Sequence, residues 1–199
     1  MIILSSSYNI LTGQNSVLRG LIAEEFVRYF MSQQFPLLVL RPKIVLRYLD
    51  DTNIRGRTVN FVRKYQQTMD FFGLGPIDES MLLQRSAKDL LTSWFYMNEG
   101  LPRFFQDDDY VLRLHGFAIE VKSRTTSKIW SSFQYNFSPN QENMFEECNE
   151  VGLQSILCGV TFGANWDISI VFANHRGKII PMVNLLNDLT ESTPEKSVE

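Results

Sequence analysis

The sequence predicts an α/β protein, a β-sheet flanked by helices, and three observations carry that expectation. A stripe of Leu18, Leu21, Ile22, Val27 and Phe30 at helical spacing opens the chain. Around His115-Gly116 the apolar residues alternate without exception, Tyr110, Leu112 and Leu114 before the pair and Phe117, Ile119 and Val121 after it, which is the period of half-buried strands. Further on, Ser138-Pro139-Asn140-Gln141 reads as a helix start, and the apolar run Ser155 to Phe162 behind it reads as a buried strand.

The first helix is expected from an Asn15 or Ser16 cap to about Gln33, with Glu24 and Glu25 in its middle and Pro36 ending it. Leu37 to Leu40 and Ile44 to Leu49 are short apolar runs that suit either strands or the start of a helix. Val59 to Phe72 and Glu79 to Met97 read as helices, separated by the breaker Gly73-Leu74-Gly75-Pro76. That breaker lacks the third glycine and the lysine of a phosphate loop, so it reads as a helix stop. The helix that Ser138 caps has Pro139 at its first position and Gln141 in the box position, runs to about Glu150, and has Gly152 for a left-handed exit. Turns at Gly163-Ala164-Asn165 and Asn174-His175-Arg176-Gly177 then separate strands Asp167 to Ala173 and Lys178 to Val183.

With 199 residues and 44% hydrophobic content the chain can bury a substantial core, and we expect one domain over 1–189. Residues 190–199 are polar and acidic and are expected to be disordered. The apolar start Met1 to Leu4 runs into Ser5-Ser6-Ser7, too short for a signal segment, and no run approaches a membrane span, so an intracellular, cytoplasmic protein is expected. Cys148 and Cys158 lack zinc-ligand spacing and read as reduced and buried. The net charge of -3 resides from Asp188 onward, leaving a neutral body. Within that body, Arg41 to Lys64 carries seven bases against Asp50 and Asp51, a local net of +5 that suits either a phosphate-facing surface or a solvated basic face.

The acids and bases near His115 point to chemistry. If His115-Gly116 is a two-residue hairpin loop, Leu114 pairs with Phe117, Val111 with Glu120 and Asp109 with Lys122, so Asp109, Glu120 and Lys122 share one face. The six alternating apolar side chains take the other, core face. Asp107 has the same parity as Asp109 and is the reserve, whereas Asp108 should point away. A carboxylate and an ammonium two residues apart in an apolar strand suit a cation and a polyanionic substrate, hence metal-dependent phosphodiester chemistry; the plainer reading is an exposed ion pair.

Arg19-Gly20-Leu21-Ile22-Ala23-Glu24, Asp109-Tyr110-Val111-Leu112, Ile119-Glu120-Val121-Lys122-Ser123-Arg124 and Ser138-Pro139-Asn140-Gln141 together resemble the PD-(D/E)XK nuclease superfamily, in particular the core of archaeal Holliday-junction resolvases and Mrr-like or VRR-type nucleases. The resemblance covers residues 14–34 and 104–173, with Asp108 standing where the family often has proline. It implies a restriction-endonuclease-like mixed central β-sheet flanked by helices, with a helical insertion at about 50–103 before the catalytic hairpin. It also implies a Mg²⁺- or Mn²⁺-dependent endonuclease acting on DNA, with branched or structured DNA among the expected targets, and a homodimer, since cutting paired strands commonly uses two sites.

On that resemblance Asp109, Glu120 and the carbonyl of Val121 would bind the metal, Lys122 would orient the attacking water, and Glu24 and Gln141 would support the site. Each has a plainer role open to it: Glu24 as a surface helix residue, Gln141 as a cap. Arg55, Arg57, Arg63, Lys64, Ser123, Arg124 and Lys128 are the candidate nucleic-acid contacts. His115 and His175 sit in expected turns, neither at ligand spacing from another metal-binding residue, and Trp94, Phe95, Trp130, Phe133 and Tyr135 read as core or interface. The competing function is a non-catalytic nucleic-acid-binding or assembly module that keeps a nuclease-like fold.

Overall fold

A computed structural model describes residues 16–77, 79–99, 111, 113–125, 137–163, 168–174 and 179–180. Its frame is a six-stranded mixed sheet in the order β1 (Leu38–Leu40), β2 (Phe71–Gly75), β3 (His115–Thr125), β4 (Leu153–Phe162), β5 (Ile168–Ala173) and β6 (Ile179–Ile180). Only β3 and β4 run parallel; the other neighbours are antiparallel. A parallel pair needs a crossover, and helix α6 (Pro139–Glu150) lies within it. β4 is buried over most of its length, as a central strand covered on both faces must be.

Helix α1 (Ser16–Gln34) covers one face of the sheet. It turns Ala23, Val27 and Met31, spaced by four, onto Phe71, Phe117, Ile119 and Cys158. The apolar stripe read from the sequence is therefore rotated: Val27 is buried, but Leu21 and Ile22 are exposed. The other face carries α2 (Pro42–Asp50), α3 (Arg57–Tyr65), α5 (Ala87–Asn98) and α6, packed on Phe72, Leu74 and Ala118. Here Phe72 meets Trp94 and Phe95 with ring centroids 5.7 and 5.5 Å apart. Full burial of such a ring contributes about 2–3 kcal/mol.

Several elements differ from their sequence reading. The helix expected over Val59 to Phe72 ends at Tyr65, and the supposed breaker lies within strand β2, all of whose residues are buried. Phe71 faces the α1 layer and Phe72 the opposite one, so apolar content on both faces outweighs the turn signal of two glycines. The helix expected over Glu79 to Met97 is two, α4 (Glu79–Gln84) and α5, because Ser86 and Asp89 form a capping box that restarts it. Ile44 to Leu49, left open between strand and helix, belongs to α2, which Pro42 starts.

The His115-Gly116 hairpin is also corrected. Both residues lie in β3, paired with Gly75 and Leu74, and the turn before them closes from Leu114 N–H to Val111 C=O at 3.1 Å. The antiparallel partner of β3 is β2, from the segment expected to be a helical insertion. The parity reading within β3 survives: Phe117 and Ile119 face one layer while Ala118 faces the other. Ser138 and Gln141 make the expected capping box, and Gly152 takes φ 74°. No helix among the described residues is long and apolar enough to cross a membrane.

Candidate functional site

The site is built on the β2–β3 ladder. Phe71 pairs with Ile119, so the register continued by one residue sets Asp70 opposite Glu120 on one face of the sheet. Asp70 is held at both ends: its N–H donates to the carbonyl of Ile119 at 3.1 Å, and its Oδ2 accepts the N–H of Val121 at 2.7 Å. Glu120 is 3% exposed. Its Oε1 accepts from Lys122 Nζ at 2.6 Å and from Gln141 Nε2 at the first turn of α6. Gln141 does two jobs, since its Oε1 also accepts the N–H of Ser138 at 3.0 Å to close the capping box.

Burial decides the electrostatics. It pushes the Asp70 carboxyl up to about 8, reinforced by the charge of Glu120 and more weakly by Glu24, and opposed by the Val121 N–H and Lys122. Glu120 is raised by burial as well, against the pull of Lys122 and Gln141. Burial raises both carboxyls, and the two acids titrate as a coupled pair. Glu120 Oε2 is buried and has no hydrogen-bond partner among the described residues.

The structure brings Glu120, Lys122 and Gln141 together as the sequence suggested. Asp109 and its reserve Asp107 lie outside the described residues, as does Lys128. The carboxyl that meets Glu120 is Asp70, which the sequence reading missed. Its signal was an acid at the head of the apolar run Phe71 to Gly75, hidden once that run was assigned to a helix end. Glu24 is engaged by Arg41, whose Nη1 is 3.1 Å from it and whose guanidinium lies over the Phe71 ring at 5.3 Å.

The expected Mg²⁺- or Mn²⁺-dependent deoxyribonuclease is overturned. Among the described residues no group of three or more His, Cys, Asp and Glu side chains is disposed to hold a metal ion. A hard divalent cation needs several ionised oxygens. Here Glu120 Oε1 is committed to Lys122 and Gln141, and Glu24 is committed to Arg41. The metal role read for Glu120 and for the carbonyl of Val121 falls with it. The cluster joins the start of β2, β3 and the start of α6 through one backbone N–H, one ammonium and one amide.

A second feature lies on α2, α3 and the loop between them. One cleft of about 370 Å³ is lined by Asn53, Arg55 and Asn60 above Leu49 and Ile54. A second, of about 430 Å³, is lined by Lys43, Leu46, Arg47 and Gln66. Asp50 and Arg63 line both, and their ion pair at 2.9 Å stands between the clefts. Asp51, on the second cleft, is bound by Lys88 at 2.6 Å. Lys43, Arg47 and Arg55 are exposed and make no ion pair among the described residues.

Of the expected nucleic-acid contacts, Arg55 and Arg63 lie on these clefts. Lys64 pairs with Glu147 and sits over the Tyr65 ring, Arg57 is exposed at the start of α3, and Ser123 and Arg124 lie on the distal half of β3. Trp94 and Phe95 are core residues, and the Trp94 Nε1 donates to the Leu114 carbonyl at 2.9 Å. No protein-family model matches the chain, and no curated protein matches it in sequence.

Proposed function

We propose that this protein is a non-catalytic nucleic-acid-binding module on a scaffold resembling the PD-(D/E)XK nucleases, and that it holds the phosphate backbone of DNA on the α2–α3 face. The observation that carries the reading is the charge state of the two clefts. Their acids are already matched, Asp50 by Arg63 and Asp51 by Lys88, which leaves Lys43, Arg47 and Arg55 as the charge presented to a ligand. Cations gathered on one face supply sequence-independent affinity by releasing counterions from DNA. The order Glu120, Lys122, then Gln141 on a following helix supports the scaffold assignment. We also assign the protein to the inside of the cell, a setting supported by two buried free thiols, Cys148 and Cys158.

Fluorescence anisotropy with a labelled DNA duplex, titrated with salt in Mg²⁺ and in EDTA, tests the reading. Affinity should fall steeply with salt, be the same in both buffers, and be kept by Glu120→Gln. Combining Lys43→Ala with Arg47→Ala should weaken binding and lower the salt slope by about 2. Binding that ignores salt, or is lost in EDTA, would sink it.

A further inference from the structure

Resting on that reading, we infer that the clefts divide the labour on a single strand: the first accepts an unpaired base, and the second holds the backbone phosphates beside it. The first cleft differs from a plain phosphate site. Its two amides, Asn53 and Asn60, each offer a donor and an acceptor, the combination that reads base edges. Leu49 and Ile54 also line it, but at 1% and 4% exposed they offer a ring almost no surface, so the amides and Arg55 carry the recognition. Arg55 also lines this cleft, and its planar guanidinium is a group on which a base can stack.

Asp50 and Arg63 line both clefts and pair with each other, so the clefts differ in their other polar residues, the two amides and Arg55 in the first and Lys43 and Arg47 in the second. The second cleft offers Lys43 and Arg47, with the charge of Asp51 drawn off by Lys88, and so suits phosphates. Asn53 has φ 54°, a left-handed conformation uncommon outside glycine and most readily taken by Asn and Asp. Such positions gather at ligand clamps, and this one sits on the wall of the cleft. A paired and stacked base cannot enter a cleft of this kind, so the inference selects single-stranded over duplex nucleic acid.

Anisotropy on the full chain compares a labelled single strand, the same strand carrying abasic positions, and the duplex. The single strand should bind about tenfold tighter than both others, the loss expected for one base–protein contact. Asn60→Ala, and independently Asn53→Gly, which keeps the left-handed backbone, should remove that preference and leave duplex binding unchanged. Equal binding of the intact and abasic strands, or variants that keep the preference, overturns this inference while the backbone reading stands. Salt-insensitive binding of all three ligands overturns both.

Discussion

Asp70 accepts the backbone N–H of Val121 at 2.7 Å, across fifty-one residues of sequence, and this bond fixes its carboxyl beside Glu120. A side chain thus takes up a main-chain donor at the end of the β2–β3 ladder. The acid so placed is buried next to a second acid, and its protonation becomes part of the fold.

Stability should therefore depend on pH through Asp70. Its folded value of about 8 lies above the ordinary 3.8, so below pH 4 both states are protonated and its full contribution is present. As pH rises toward 8 the unfolded state releases a proton that the folded state keeps, and stability falls. Asp70→Asn, which mimics the protonated acid in shape and hydrogen bonding, should match the wild type near pH 4 and exceed it by about 2 kcal/mol at pH 9. Thermal melts across that range provide the check; parallel curves for the two proteins would refute it.

Lys122 is the only ammonium on Glu120 among the described residues, at 2.6 Å. Lys122→Met should cost about 2 kcal/mol at neutral pH by leaving a buried carboxylate without its counter-charge. Adding Glu120→Gln should restore most of the loss. A double-mutant cycle by urea denaturation reads the coupling, and additive losses would show that the pair is not coupled.

Glu99 acts at a distance as the cap of α3. Gly56 offers that helix no side chain, and the Glu99 carboxylate accepts the N–H groups of Arg57 at 2.8 Å and Thr58 at 2.6 Å. Glu99→Ala should lower stability by about 1–2 kcal/mol, as removal of a strong cap does. An unchanged denaturation midpoint would show that water replaces the carboxylate without loss.

Gly116 is glycine because of its neighbours. A Cβ there would stand 2.5 Å from Leu153 Cδ2 and 2.6 Å from Trp94 Cη2, and the indole is tethered by its bond to Leu114. Gly116→Ala should cost about 1–3 kcal/mol through overpacking. Wild-type stability in this variant would mean that Leu153 and Trp94 move aside freely.

Much of the site was legible in short-range patterns. Ser138, Pro139 and Gln141 announce a capped helix within four residues, and the alternation of Phe117, Ile119 and Val121 puts Glu120 and Lys122 on the opposite face whatever strand lies alongside. His115-Gly116 is the exception, a dipeptide common in turns that lies within β3. Its glycine serves instead to let Trp94 and Leu153 close over β3.

Chain-local chemistry determined the elements with caps and strict parity, and with them three members of the cluster, Glu120, Lys122 and Gln141. Tertiary structure alone decided the fourth, Asp70. Parity and caps are set by neighbours a few residues apart, whereas the β2–β3 register and the burial that raises a carboxyl are set by segments that meet only when the sheet assembles.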